Sequence, residues 1–359
     1  MHMCRRLQPP VNVMQKILFT NHIAEALTGI ASELAPQSVH IVTDDNVARD
    51  VLPALGLPWA VITVRPGDDH KNLDSLSHIW QELISQGATR HSLVLNIGGG
   101  VVTDMGGFAA ATFKRGVRFV NVPTTLLAAV DAAVGGKTGI NFGGFKNEVG
   151  AFAPADAVVI STATFKSLPP RELLSGYAEM IKHGLLTSTR SYHALLAFDP
   201  VDGDPDELLK LLEESVKVKE RIVEIDPREQ GIRRALNLGH TAGHAFESLA
   251  LERGLPVPHG YAVAWGMVVE LLLSHMIKGL DVNEVRLLVN YLKESGYGWP
   301  EVTCDDYPRL MSLMAHDKKN PSPDRINFTL LRAPGDIEID CIVPPDDITA
   351  ALDIFRESL

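Results

Sequence analysis

Ser92-Leu-Val-Leu-Asn-Ile97 runs straight into Gly98-Gly-Gly100, and a helical pattern follows with Asp104 in its first turn. Glycines at such a strand end let backbone N–H groups approach a pyrophosphate, and the helix N-terminus adds partial positive charge. The spacing is not GxGxxG, so a plain strand–helix turn accounts for it as well as a nucleotide does. Either way, the segment sets an α/β pattern that continues on both sides.

Upstream, Ser38-Val-His-Ile-Val-Thr43 and Ala60-Val-Ile-Thr-Val64 read as strands, and Leu73, Leu76, Ile79, Trp80, Leu83 and Ile84 recur at helical spacing up to Gly87. Downstream, Phe119-Val-Asn-Val122 and Ala157-Val-Val-Ile160 read as further strands. Strands alternating with helices predict parallel βαβ units covered on both faces. Thr43-Asp-Asp-Asn46 is a second polar strand end, and open α/β sheets bind ligands at such ends.

Beyond about residue 165 the strand signals nearly vanish. Helices are predicted over 173–186, 206–225, 234–251, 261–278 and 281–295, with late strands over 326–331 and 337–342. The expected architecture is an α/β nucleotide-binding domain over 1–165 and a mostly α-helical metal- and substrate-binding domain over 166–359. The cleft between them is the default site.

With 359 residues, 45 % hydrophobic and 21 % charged, the chain has a globular composition. Its net charge of −11 argues against a nucleic-acid partner. Cys4, Cys304 and Cys341 are odd in number and lack CxxC spacing, which favours a reducing compartment. Pro9 and Pro10 follow Arg5 and Arg6 where a signal peptide needs its apolar run. The apolar run Ala262 to Ser274 carries Glu270 and is too short to span a bilayer. A cytoplasmic protein without a membrane partner is expected.

In the helical half, Asn237-Leu-Gly-His240-Thr-Ala-Gly-His244 puts two histidines four apart, and His259-Gly260 precedes the next helix. Tyr177-Ala-Glu179-Met-Ile-Lys182-His183 puts a carboxylate and an ammonium one turn apart on an apolar helix. Two histidines and one glutamate around an open position is a catalytic zinc arrangement. Thr241 stands where HExxH would need Glu, so the metalloprotease reading fails, and an HxxxH pair also serves packing or capping. Asp131-Ala-Ala-Val-Gly-Gly-Lys137-Thr138 and Lys146-Asn147 form a glycine-rich, loop-like stretch. Lys219, Arg233 and Asp317-Lys318-Lys319 add cations further on. A scattered lysine is ordinarily a solvated charge. Lys137 beside two glycines, and Arg233 one helical turn before Asn237, fit that reading less well.

Taken together, GGGVVTDMGGF, KRGVRFVNVPTTLLAAVDAAVGGKTGIN, KNEVGAF, LPPRELLSGYAEMIKHG, REQGIRRALNLGHTAGHAFE, HGYAVAWGM and HDKKN resemble the 3-dehydroquinate synthase family, in family order from about residue 40 to 320. The resemblance implies a dehydroquinate synthase-like fold, NAD, and a divalent cation, Zn²⁺ or Co²⁺. By position it implies metal ligation by Glu179, His240 and His259, with His244 a base and Glu229 a second candidate base. Asp44, Asn46, Asp68, Lys71, Gly99, Gly100, Asp104, Thr124 and Thr125 match NAD-contacting positions, with Lys137 and Lys146 near both NAD and substrate. Asp131, Lys137, Lys146, Asn147, Lys182, Lys219, Arg233, Asn237 and one of Lys318 or Lys319 match substrate positions. Arg115 matches a residue supplied by the neighbouring subunit, so a homodimer is expected.

Three departures stand out. Asp68 replaces a usual Glu, Ala132-Ala133 a pair of serines, and Asn141-Phe-Gly-Gly a His-Pro-containing turn. The last resembles sister sugar-phosphate cyclases that act on sedoheptulose 7-phosphate, whereas Gly135-Gly136-Lys137-Thr138 fits the dehydroquinate enzyme. The implied substrate is 3-deoxy-arabino-heptulosonate 7-phosphate, a small phosphorylated sugar acid. The implied reaction runs by transient oxidation at C5, phosphate elimination, re-reduction and intramolecular aldol closure. A glycerol dehydrogenase-like polyol dehydrogenase would share fold, NAD and metal but has no use for so many phosphate-binding cations. A catalytically dead NAD-binding paralogue would have lost a ligand or base, and none is lost.

Overall fold

A computed structural model describes residues 15–227, 229–316 and 325–358. Lys318, Lys319 and the N-terminal residues through 14 lie outside them. Strands are β1 (Lys16–Phe19), β2 (Val39–Asp44), β3 (Ala60–Val64), β4 (Leu93–Gly98), β5 (Arg118–Pro123), β6 (Lys137–Phe142), β7 (Phe145–Phe152), β8 (Ala157–Ile160), β9 (Ile326–Ala333) and β10 (Asp336–Val343). Helices are α1 (Ile23–Leu34), α2 (Asp45–Asp50), α3 (Leu52–Leu55), α4 (Leu73–Ser85), α5 (Gly100–Thr112), α6 (Pro170–Thr187), α7 (Thr189–Leu196), α8 (Pro205–Ile225), α9 (His240–Glu252), α10 (His259–Lys278), α11 (Val282–Glu294), α12 (Tyr307–Ala315) and α13 (Pro345–Glu357).

The N-terminal part is a six-stranded parallel sheet in the order β1-β8-β5-β4-β2-β3. Every residue of β4 is buried, and its side chains alternate between two cores. Leu93, Leu95 and Ile97 pack towards α1 and α2, and Val94 packs with the residues of α4 and α5. From β2 the chain moves outwards to β3, whereas from β4 it moves the other way to β5. The C-terminal ends of β2 and β4 therefore flank the crevice where such sheets take a ligand. Gly98 closes β4 because a Cβ there would lie 2.5 Å from Cβ of Val102, so α5 could not start so close to the strand.

The C-terminal part is built around α10, buried on all sides from Gly260 to Ser274. α10 is 20 residues long, more than its apolar run suggested, and long and apolar enough to cross a membrane. However, 83 % of its apolar window is buried against α9, α6, α11, α13 and β9. Gly266 makes the closest of these contacts possible, since a Cβ there would stand 2.0 Å from the Gly239 carbonyl oxygen.

Besides β1, an edge strand outside the expected set, two segments differ from expectation. The stretch read as loop around Lys137 and Lys146 is an antiparallel hairpin, β6–β7. Gly143 and Gly144, at φ +61° and +84°, make its two-residue turn between paired Phe142 and Phe145. The helix expected over 234–251 is two pieces, a 3₁₀ turn at Ile232–Asn237 and then α9. Gly239, at φ +79°, breaks it. Buried Glu270 then caps α9 across the core, accepting from the Gly239 and Thr241 N–H groups at 2.7 and 3.1 Å.

Candidate active site

Three helices converge where the second half meets the sheet. α6 brings Glu179 and, one turn on, Lys182, which are 0 % and 2 % exposed and form an ion pair. α9 brings His240 in its first turn and His244 in its second, and α10 opens with His259. Ring nitrogens of the three histidines lie within 4.8 Å of one another. Oε1 of Glu179 is 3.4 Å from Nε2 of His240 and 3.7 Å from Nε2 of His259.

The electrostatics set these groups apart. Burial works to raise the Glu179 carboxyl, but Lys182 and His240 hold it well below the usual carboxylate range. Burial, reinforced by Lys182, pushes the His240 imidazole down to about 4. Burial has the same tendency at His259, yet hydrogen bonds to Glu179 and Glu247 carry it up to about 10. Both Glu179 oxygens are buried: Oε2 faces the Lys182 ammonium, and Oε1 faces the two imidazole nitrogens. A buried carboxylate with one oxygen turned to two imidazole nitrogens is an oxygen-and-nitrogen donor set that fits a divalent cation.

A second group of side chains surrounds the sheet crevice. Lys71, buried, donates to Asp104 at 2.6 Å and to Asn147 of β7 at 2.5 Å, so it ties α5 to the hairpin. Burial pushes the Asp104 carboxyl up, against Lys71. Asp44 caps α2, accepting from the Asn46 and Val47 N–H groups at 3.0 Å each. Thr124 donates its N–H to the Gly98 carbonyl at 3.0 Å, and Thr125 lies so close to Gly99 that a Cβ there would be 3.1 Å from its methyl group.

Ion pairs join the two groups. Lys219, buried on α8, bonds Asp131 at 2.5 Å. Lys137 pairs with Glu229 at 2.8 Å, and Asn237 donates to the other oxygen of Glu229 at 3.3 Å. Arg233 donates to the Pro227 carbonyl at 2.9 Å, and its guanidinium lies beside Gly135. Lys146 reaches Asp68 at 3.4 Å and Glu247 at 3.3 Å. Glu247 is the residue that reading the sequence missed; its only signal was its place one turn beyond His244 on the same helix. Arg115 is not brought in: it is exposed beyond the far end of α5, about 18 Å of helix from Gly100.

The N-terminal 3-dehydroquinate synthase family model matches residues 61–175, and the C-terminal model of that family matches residues 176–320. The chain belongs to the 3-dehydroquinate synthase family. A 3-dehydroquinate synthase of Parabacteroides distasonis is 47 % identical over 349 residues, 96 % of this chain and 98 % of that one. Among solved structures, the 2-epi-5-epi-valiolone synthase of Streptomyces hygroscopicus, with NAD⁺ and Zn²⁺ bound, superposes with a TM-score of 0.84 at 24 % identity, covering 98 % of this chain and 99 % of that one. A 2-deoxy-scyllo-inosose synthase complexed with carbaglucose-6-phosphate, NAD⁺ and Co²⁺ gives 0.83 at 23 %, with 96 % of each chain covered. These two share the fold, while the dehydroquinate family match spans both halves of the sequence.

Proposed function

We infer that this chain is a 3-dehydroquinate synthase of the shikimate pathway, converting 3-deoxy-arabino-heptulosonate 7-phosphate to 3-dehydroquinate and phosphate. The observation that carries this is the full-length 47 % identity to a 3-dehydroquinate synthase, joined to a carboxylate–imidazole cluster beside a parallel-sheet crevice. Bound NAD⁺ would accept and later return a hydride, and a divalent cation would polarise the reacting oxygen.

The chain's own residues do the rest. Glu179, His240 and His259 would hold the cation, Zn²⁺ or Co²⁺. The β2 and β4 ends, with Asp44, Asn46, Asp68, Lys71, Gly99, Gly100, Asp104, Thr124 and Thr125, would cradle NAD. His244 is the most exposed of the three histidines, which suits a base that meets substrate from the cleft. Its ring is also close enough to the other two to favour a second reading, in which it is a further ligand. Lys137, Lys146, Lys182 and Lys219 each hold a carboxylate partner, so the substrate's phosphate and carboxylate would compete with Glu229, Asp68, Glu179 or Asp131 for them. Competition of this kind favours a substrate that carries both a phosphate and a carboxylate over a neutral polyol. Asn147, Arg233, Asn237 and one of Lys318 or Lys319 complete the proposed substrate set.

The finer picture is a division near residue 165 and cytoplasmic action in aromatic amino-acid and chorismate biosynthesis. It also includes a homodimer in which Arg115 serves the neighbour's site. Two features support the dimer: the remoteness of Arg115 from its own site, and the apolar hairpin surface of Phe142, Phe145 and Phe152, exposed 53 %, 67 % and 68 %. Comparing kcat/KM for the heptulosonate phosphate and for sedoheptulose 7-phosphate tests the substrate. Preference for the latter would identify a sister cyclase, with Ala132, Ala133 and Asn141 to Gly144 as its markers.

A further inference from the structure

His240, His244 and Glu247 follow one another at spacings of four and three on α9, so a single helix face presents all three. Oε2 of Glu247 lies 3.0 Å from Nδ1 of His259, the first residue of α10. Oε1 of the same carboxylate lies 3.3 Å from Nζ of Lys146, which stands on the other side of the cleft. Side chains of Glu247 and His259 are 22 % and 30 % exposed, so this is a partly buried network rather than a solvated surface pair.

An imidazole that binds a cation gives up the proton on one nitrogen and keeps the other, and the hydrogen bond made by the nitrogen that keeps it selects which. We propose that Glu247 is a positioning residue of the metal centre. Its carboxylate accepts the Nδ1–H of His259 and so reserves Nε2, the nitrogen 3.7 Å from Glu179, as the donor to the cation. Lys146 holds the carboxylate in that orientation. Because Lys146 comes from β7 and also reaches Asp68, the same carboxylate links the hairpin to the helices that carry the histidines.

This rests on the reading of His259 as a metal ligand, and the test separates the two claims. Competition for Zn²⁺ between the metal-free protein and a chromophoric chelator yields a Kd without reference to turnover. Glu247→Ala should raise that Kd by about 10–100-fold. Glu247→Gln, which keeps an acceptor for Nδ1–H, should raise it less, and both metal-free variants should melt with the wild type. If His259→Ala keeps the wild-type Kd, the ligand reading itself falls. Loss in His259→Ala with a wild-type Kd in Glu247→Ala overturns the positioning role alone. Equal loss in the Gln and Ala variants, accompanied by a lowered Tm, also overturns it, because that pattern belongs to packing.

Discussion

Nε2 of His240 lies 3.4 Å from Oε1 of Glu179, joining the first residue of α9 to the middle of α6, and Nε2 of His259 lies 3.7 Å from the same oxygen. Lys182 neutralises this buried carboxylate at its other oxygen, and Oε1 is left turned to the two imidazoles, where a shared cation would bind. His240→Ala, His259→Ala and Glu179→Ala should therefore each lose the metal, as read by metal content after dialysis. His244→Ala should keep most of it and lose about 10²–10⁴-fold in kcat, the usual worth of a general base. Metal loss in His244→Ala as severe as in His240→Ala would make His244 a ligand.

How far the sequence went is visible residue by residue. The sheet was legible because β2, β4, β5 and β8 are short apolar runs bounded by polar or glycine residues. Glu179, His240 and His259 were singled out as a set only through the family resemblance, since an HxxxH pair alone also serves packing or capping, and the fold brings the three together. The β6–β7 hairpin was hidden by its glycines, which weaken strand signals yet permit the contact: a Cβ on Gly150 would lie 2.1 Å from the Thr138 carbonyl oxygen. The break at Gly239 was hidden because its cap, Glu270, comes from another helix. Glu247 was hidden because its role depends on what stands opposite it. The same holds for Lys137 and Lys219, which the resemblance matched to substrate positions and which are carboxylate-paired in the fold.

Arg115 tests the assembly. Arg115→Ala and Lys137→Ala proteins should each be nearly inactive. Mixed under conditions of proven subunit exchange, they should regain activity in hybrid dimers that hold one intact site. No recovery would mean that Arg115 does not act across an interface.

His183 sets a pH dependence of stability. It is 1 % exposed, its Nδ1 lies 2.8 Å from the Ser215 hydroxyl, and burial pushes its imidazole down from 6.5 to about 3. The folded chain thus keeps it neutral where the unfolded chain binds a proton. Its contribution is complete above pH 6.5 and is lost as pH falls from there towards 3, at up to about 1.4 kcal/mol per pH unit. Tm of the wild type should fall over that window, and His183→Gln should show a shallower slope. An unchanged slope in the variant would place the acid sensitivity elsewhere.

In the proposed reaction the hydride leaves the substrate and comes back to it within one turnover. The direct measurement gives the protein the heptulosonate phosphate with NAD⁺ far below the substrate concentration, following phosphate and NADH together. Phosphate should be released to near completion with no net NADH, because each turnover regenerates NAD⁺. NADH formed one-for-one with substrate consumed, with phosphate retained on the product, would contradict it and make the chain a dehydrogenase.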